Sequence, residues 1–276
     1  MSGLVLSAWA GIEVPNFVER VVKNHEEYAN RHGYAHRFLV DGKGKHLGGD
    51  DVYPEWLKVS AISQALEEGF PWVFWIDTDS VFSDLERDLE DIVALRKSVV
   101  VAGDSADICN TGHVFVRNTS ESRGLVEAWW AMRLFVFPTV QTTHVDDRGR
   151  LLDQPALNYL LVGGKPNQES VFQTGKRLFN TFNGFTGNPD RRHKFFQFTH
   201  APTRRWRVPI TRFLLSREMR KIVGIIPQGR LNGYPRRLAG SPRSIKNAPI
   251  MHYPGRMRKY LSAELDRLDA QRAENS

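Results

Sequence analysis

Short apolar runs alternate with amphipathic stretches along the first 80 residues of the chain. Leu4 to Trp9 is typical of a buried strand, and Val14 to His32 repeats apolar residues at helical spacing. A second strand is predicted over Tyr34 to Val40. Helical spacing returns over Tyr53 to Glu68, just before the fully apolar strand Trp72 to Ile76. Three β-α units in roughly 75 residues predict a mainly parallel sheet that is covered on both faces.

The pattern is weaker in the rest of the chain. Two further strands and two helices are predicted there: Val99 to Ala102, His113 to Val116, Glu121 to Phe135 and Asp153 to Val162. Beyond residue 163, Gly, Pro, Asn and Arg dominate. The last helical segment, Leu261 to Arg272, is charged on most faces and is either packed or frayed. We therefore expect an α/β domain over residues 1–200 and a basic C-terminal region over residues 201–276.

Composition supports an ordinary folded protein. The 276 residues are 41% hydrophobic and 25% charged, which is enough to build a core without disulfides or structural metals. The single cysteine, Cys109, excludes an intrachain disulfide and a cysteine-cluster zinc site. No secretory signal and no membrane-spanning run are visible, so we expect a cytoplasmic protein whose membrane contact is at most peripheral.

The net charge of +7 is unevenly distributed. Residues 191–260 hold 18 Lys or Arg and a single acid, Glu218, with aromatic residues such as Trp206 and Tyr234 between them. This mixture suits phosphates, an anionic membrane surface or nucleic acid. A second interpretation is a solvated surface that balances the acidic remainder of the chain. No recognised nucleic-acid-binding motif occurs in the stretch, which makes nucleic acid the least favoured partner.

Two carboxylates follow the apolar strand Trp72 to Ile76. Asp77 and Asp79 stand at its carboxyl end, which is where open α/β sheets bind their ligands. Alternate residues of an extended chain point the same way, so both acids could bind one divalent cation whose remaining positions a diphosphate would fill. Oxygen ligands favour Mg²⁺ or Mn²⁺ over zinc.

With these acids in place, the sequence resembles the retaining, metal-dependent, nucleotide-sugar glycosyltransferases of the GT-A fold, in particular families 34 and 8. The matching segments, in the family's order, are Glu27 to Tyr34 with Pro54 to Lys58 and Asp77-Thr78-Asp79, then Cys109 to Asn118, Leu152 to Asn158, and Met251 to Gly255 with Arg258-Lys259-Tyr260. One departure is that Arg258 and Lys259 stand where family 8 has Lys and Pro.

The resemblance implies a Rossmann-like GT-A domain with a basic C-terminal extension. It also implies that a hexose or pentose moves, with retention, from a UDP-sugar or GDP-sugar donor to an acceptor hydroxyl. The acceptor class stays open between a glycan, a lipid-linked molecule and a small molecule. Asp77, Asp79 and His252 would hold Mn²⁺ or Mg²⁺, and His200 is a rival for the histidine position.

The same resemblance assigns further roles. Gln154 would lie near the anomeric carbon and stabilise the transition state, with Asp153 beside it. The residues expected to contact the nucleotide-sugar are Ser7, Ala8, Lys58, Asp77, Asn110, Gly112, Gly255, Arg258 and Lys259. Each has a structural alternative: Lys58 as a solvated helix lysine, for example, or Asn110 and Gly112 as residues that only shape a strand edge.

A phosphatase is the main rival among enzymes. The run Asp77 to Val81 also resembles the haloacid-dehalogenase motif, in which Asp77 would be the nucleophile and Asp79 the acid/base. Val101 to Asp104 resembles the later acidic loop of that family. Only about 25 residues separate the two segments, too few for the intervening β-α units that such a fold requires.

Overall fold

The computed structural model describes residues 2–41, 53–104, 108–135, 152–167, 215–234 and 248–274. The glycine-rich loop at 42–52, the rival His200, the expected domain boundary near residue 200 and most of the basic stretch lie outside these ranges. Across the described ranges, no helix combines the length and the apolar character needed to cross a bilayer.

A six-stranded sheet forms the centre of the protein. Its strands are β1 (Leu4–Trp9), β2 (Ala35–Val40), β3 (Trp72–Ile76), β5 (Val99–Ala102), β6 (Asn110–Arg117) and β7 (Val223–Ile226). They lie in the order β2-β1-β3-β6-β5-β7. Of these six, β6 alone runs antiparallel to its neighbours. The predicted mainly parallel sheet is therefore confirmed.

Helices cover both faces of the sheet, as the sequence predicts. They are α1 (Asn16–Arg31), α2 (Leu57–Glu67), α3 (Leu89–Val93), α4 (Ser120–Ala131), α5 (Asp153–Leu161), α6 (Met219–Ile222), α7 (Gln228–Leu231) and α8 (Leu261–Glu274). One face of the sheet packs against α2, α4 and α5, and the other against α1 and α3. Burial of apolar side chains on both faces is the main source of stability for such a layered fold.

Short helical turns extend or precede several elements. Three 3₁₀ turns lie next to helices. They precede α2 (Pro54–Trp56), follow α4 (Met132–Leu134) and precede α8 (Gly255–Tyr260).

The helix α1 ends where Gly33 adopts a φ of 68°, a left-handed conformation that glycine adopts without strain.

A second, two-stranded sheet brings the C-terminal part of the chain to the carboxyl end of β3. It pairs β4 (Ser80–Phe82) with β8 (Ile250–His252) in antiparallel register. Neither strand was predicted, because each has only three residues and its partner lies about 170 positions away. Since β7 also pairs with β5, two strands from beyond residue 201 pair with strands from the first 200 residues.

The last helix is packed rather than frayed. Leu261, Leu265 and Leu268 lie one turn apart on α8 and are buried against α1. At the edge of that contact, Arg20 of α1 pairs with two α8 carboxylates, those of Asp266 at 2.8 Å and Asp269 at 2.7 Å. The apolar contact carries most of the docking energy, because exposed ion pairs contribute little.

Candidate active site

A cavity of about 280 Å³ opens at the carboxyl ends of β1 and β3. It is lined by Ala8, Trp9, Ala10, Pro54, Glu55, Leu57, Lys58, Trp75, Asp77, Thr78, Asp79 and Arg258. A larger cavity of about 610 Å³ lies between α2 and α4, but its lining is surface helix. The smaller cavity is the candidate site because its acids and a neighbouring histidine converge on one point, at the edge where such sheets bind ligands.

The two predicted acids are held by a tight turn. The backbone N–H of Ser80 donates to the carbonyl of Asp77 at 3.0 Å, and the N–H of Asp77 donates to the carbonyl of Gly112 at 2.9 Å. One ligand atom each from Asp77, Asp79 and His252 falls within 4.8 Å of the others. The structure thus brings the predicted trio together through a turn, whereas the sequence suggested an extended strand.

Asp79 lies between His252 and Arg258. Its Oδ1 is 3.2 Å from Nε2 of His252, and its Oδ2 is 3.1 Å from both Nε and a terminal nitrogen of Arg258. The carboxylate is buried, which alone would raise its pKa, but His252 and Arg258 outweigh that effect and hold the pKa of Asp79 well below its usual range. Asp79 is therefore ionised and able to act as a ligand at neutral pH.

Asp77 has different surroundings. The indole N–H of Trp75 donates to its Oδ1 at 2.6 Å, and Nζ of Lys58 lies 3.4 Å from the same oxygen. Burial raises the pKa of Asp77, with Lys58 opposing that effect and the nearby Asp79 carboxylate adding to it. Two carboxylates this close repel each other unless a cation lies between them. A divalent metal bound to both would remove this repulsion.

Lys58 is buried at the base of the cavity, so its interpretation as a solvated helix lysine is wrong. Its Nζ lies 3.0 Å from Asp153 and donates to the carbonyl of Thr111 at 3.1 Å, besides its contact with Asp77. Burial alone would lower the pKa of Lys58, but the two carboxylates raise it above its ordinary value. Lys58 is a permanent cation that ties Asp77 to Asp153 at the start of α5.

Asp153 and Gln154 stand at the first turn of α5 and contact β6. The hydroxyl of Thr111 donates to Asp153 at 2.6 Å, and the N–H of Thr111 donates to Oε1 of Gln154 at 3.3 Å. The indole of Trp129 donates to the Asp153 carbonyl at 2.8 Å. This network fixes the helix end against β6, beside the cavity.

Asn110 and Gly112 shape the strand next to the acids. Oδ1 of Asn110 accepts a hydrogen bond from the N–H of Gly112 at 2.8 Å, and its amide donates to Asp104 at 3.0 Å. A Cβ on Gly112 would lie 2.8 Å from Cε1 of His252 and 3.2 Å from a carboxylate oxygen of Asp77. Only glycine leaves room for the histidine to approach the acids.

The other predicted contacts divide into two groups. Ala8 lines the cavity, and Gly255, with a φ of 56°, begins the turn that delivers Arg258. Ser7 instead faces the interior, with its hydroxyl 3.4 Å from Nδ1 of the buried His25. Lys259 is exposed, with Nζ over the ring of Tyr260, and is not part of the cavity lining. The assigned roles of all these residues toward the donor stay predictions.

Sequence reasoning missed several residues of the site. Oδ1 of Asn232 lies 2.8 Å from Nδ1 of His252. Trp75, Glu55 and Thr111 contact or line the same centre. Trp75 and Thr111 lay inside segments already singled out, so their polar groups were a usable signal. Asn232 stands in a stretch without periodicity and gave none.

Comparison with known proteins supports the resemblance. Residues 7–100 match the family 34 glycosyltransferase model, the galactosyl transferase GMA12/MNN10 family. An alpha-1,2-galactosyltransferase of Schizosaccharomyces pombe is 24% identical over 151 residues, which are 41% of this chain and 40% of that protein. An uncharacterized alpha-1,2-galactosyltransferase of the same yeast is 31% identical over 78 residues, 27% of this chain and 20% of that protein. The chain thus spans less than half the length of these relatives.

A solved structure shares the fold. The crystal structure of a glycosyltransferase involved in the glycosylation of the major capsid of PBCV-1 superposes with a TM-score of 0.52 at 12% identity, over 97% of this chain and 100% of that one. The predicted GT-A-type fold is confirmed. The predicted family 34 resemblance is also confirmed, over a region that includes Asp77 and Asp79.

Proposed function

We propose that this protein is a metal-dependent glycosyltransferase that moves a hexose from a nucleoside-diphosphate sugar to an acceptor hydroxyl with retention. The observation that carries the proposal is the convergence of Asp77, Asp79 and His252 within 4.8 Å, in a chain whose residues 7–100 match a glycosyltransferase family. The names of the yeast relatives make UDP-galactose the first donor to test.

The residues present fit a divalent cation. Two carboxylates and one imidazole supply three ligand atoms. The buried Oδ1 of Asp79 and Nε2 of His252 lie 3.2 Å apart, a spacing that suits two ligands of one cation. A mixed oxygen and nitrogen donor set suits Mn²⁺ better than Mg²⁺, which prefers an all-oxygen shell. A metal held there would act as a Lewis acid that stabilises the departing diphosphate.

Arg258 lies beside the proposed cation site. Its guanidinium contacts Asp79 yet remains 53% exposed, so its outer N–H groups face solvent beside the acids. Arginine binds phosphate oxygens through paired hydrogen bonds, which add charge and fix orientation. We assign Arg258 to the diphosphate of the donor.

The sugar side of the site is assigned to the start of α5. Asp153 is held by Lys58 and Thr111, so its carboxylate has a fixed position beside the cavity. Gln154 follows it, and an amide is a poor nucleophile. We therefore assign Gln154 to positioning the sugar and stabilising an oxocarbenium-like transition state, with the departing phosphate accepting the proton of the acceptor.

The phosphatase hypothesis has less support than the glycosyltransferase proposal. The antiparallel strand β6 lies between β3, which precedes Asp77, and β5, which precedes Asp104. The carboxylate of Asp104 is engaged by the amide of Asn110. The family match is to glycosyltransferases.

From the sequence, we also propose a cytoplasmic location, contact with an anionic membrane and an acceptor that is a glycan, a lipid-linked molecule or a small molecule.

The test is a donor panel. The protein is incubated with UDP-galactose, UDP-glucose, UDP-xylose and GDP-mannose in Mn²⁺, and released UDP or GDP is measured with and without added sugar acceptors. We expect release from one UDP-hexose, with UDP-galactose favoured, and its abolition by EDTA. Release that EDTA leaves unchanged would refute the metal-dependent mechanism. Hydrolysis of a phosphate monoester without any nucleotide release would instead support the phosphatase.

A further inference from the structure

The tripeptide Asn232-Gly233-Tyr234 contacts His252 in three different ways. Its backbone joins β8, because the N–H of Gly233 donates to the Ile250 carbonyl at 2.9 Å and the N–H of His252 donates to the Gly233 carbonyl at 2.7 Å. The ring of Tyr234 stacks on the imidazole, with centroids 5.8 Å apart and planes inclined by 25°. Asn232 adds a side-chain hydrogen bond.

Gly233 makes this close approach possible. A Cβ at that position would lie 2.4 Å from Cβ of Ala248, 2.7 Å from the sulfur of Met251 and 3.1 Å from the carbonyl oxygen of Ile250. No larger residue fits without moving β8 and the histidine that it carries. Close packing at Gly233 and the hydrogen bonds together hold the tripeptide against β8, which carries His252.

The amide of Asn232 directs its nitrogen at Tyr234 and its oxygen at His252. Its nitrogen donates to the hydroxyl of Tyr234 at 3.1 Å, and its Oδ1 lies 2.8 Å from Nδ1 of His252. Asn232 is fully buried, so water does not compete for either group. An oxygen at this distance accepts a hydrogen bond, which requires that Nδ1 of the imidazole carry a hydrogen.

The other ring nitrogen faces the acids. Nε2 of His252 is the atom 3.2 Å from Asp79, and it belongs to the group of ligand atoms within 4.8 Å. Metal-binding histidines generally donate their second ring N–H to a neighbouring acceptor, which fixes both the tautomer and the ring direction.

We infer that Asn232 is a positioning residue that holds His252 in the Nδ1–H tautomer, so that the lone pair of Nε2 faces the cation bound by Asp77 and Asp79. This inference rests on the metal site of the proposed function. It adds a residue outside the matched family region, which ends at residue 100. It also gives a role to a segment inside the basic stretch that the motifs left unexplained.

The test measures Mn²⁺ binding in the absence of any donor, by the loss of the free-ion electron paramagnetic resonance signal. Asn232→Leu keeps the branched shape of the side chain and removes the acceptor, and we expect it to weaken Mn²⁺ binding about 10- to 100-fold. Asn232→Asp retains an acceptor oxygen and should bind within about threefold of wild type. Asn118→Leu removes a half-buried amide that donates to the carbonyls of Leu66 and Phe70, far from the acids, and should leave the affinity unchanged.

Equal affinity of Asn232→Leu and wild type would overturn the inference, and so would an Asn232→Asp variant as weak as Asn232→Leu. If the wild type binds no Mn²⁺, the metal site of the proposed function fails as well, which is a different result from equal binding by both proteins.

A second measurement needs no variant at Asn232. The long-range ¹⁵N–¹H spectrum of the Mg²⁺-loaded, histidine-labelled protein reports which ring nitrogen of His252 bears hydrogen, and His252→Gln identifies the signal. Hydrogen on Nδ1 supports the inference, and hydrogen on Nε2 alone overturns it.

Discussion

Ser80 pairs directly with His252 across the β4–β8 ladder, one residue beyond Asp79. The pairing continues past the strand, because the N–H of Tyr253 donates to the carbonyl of Asp79 at 2.8 Å. Register in an antiparallel ladder fixes which side chains meet. The position of a histidine near the C-terminus is thus set by backbone hydrogen bonds to the residues that follow β3.

Removing the Asp79 charge should separate binding of the metal from folding. Asp79→Asn is nearly isosteric, but its amide is a weak ligand, and we expect turnover to fall by at least about 100-fold because several kcal/mol of transition-state stabilisation depend on the metal. Steady-state nucleotide release measures this loss. Asp84→Asn, an exposed acid on the same connection, is the matched control and should keep wild-type turnover. Loss of activity in both variants, or in neither, would contradict the assignment.

Two glycine substitutions provide a second contrast. Gly112→Ala forces a methyl group to 2.8 Å from His252 and should lower the free energy of unfolding by about 1–3 kcal/mol while weakening Mn²⁺ binding. Gly124→Ala, in α4 with nothing within 4 Å of the new methyl, should raise stability by about 0.5–1 kcal/mol. Urea unfolding and Mn²⁺ titration check both. A Gly112→Ala variant that binds Mn²⁺ like wild type would show that the close approach is unnecessary.

Lys58 should be essential for stability as well as for the site. Lys58→Met leaves the carboxylates of Asp77 and Asp153 without their buried cation, and breaking such a pair costs about 3–5 kcal/mol. The exposed Lys23→Met on α1 should change stability by less than about 0.5 kcal/mol. Chemical unfolding compares the two variants. A Lys58→Met protein as stable as wild type would show that the carboxylates do not depend on this cation.

The buried His25 predicts how stability depends on pH. Burial lowers its pKa from 6.5 to about 3, so between these values the unfolded chain binds a proton that the folded chain does not. Stability attributable to His25 is therefore complete above about pH 6.5 and declines as the pH falls, by about 2 kcal/mol at pH 5. His25→Gln retains a donor for the Ser80 carbonyl and should reduce the proton uptake on unfolding at pH 5 by nearly one. An unchanged slope of unfolding free energy against pH would refute this.

The sequence predicted the elements whose signal is local. β1, β3 and β5 have the predicted bounds because each is a short apolar run between polar or turn-forming residues. β6 begins three residues before the predicted His113, because the polar Asn110 and Thr111 find partners within the site rather than solvent.

The site was predicted where a motif marked it and missed where only long-range contact defines it. Asp77 and Asp79 were visible from their place after a buried strand, and His252 from the family resemblance. Asn232 was not, because its contact with His252 depends on the pairing of β4 with β8 and not on any pattern around residue 232. Lys58 was expected at the site from the family resemblance alone, because helical spacing does not show which carboxylates face it.

The central claim is that Asp77, Asp79 and His252 hold a cation on which binding of the nucleotide depends. Calorimetric titration of UDP into the wild-type protein and into Asp79→Asn, each with Mn²⁺ and with EDTA, tests it most directly. We predict that wild-type protein binds UDP in Mn²⁺ and loses at least about tenfold in affinity in EDTA, and that Asp79→Asn binds weakly in both. Equal UDP affinity in all four titrations would contradict the claim.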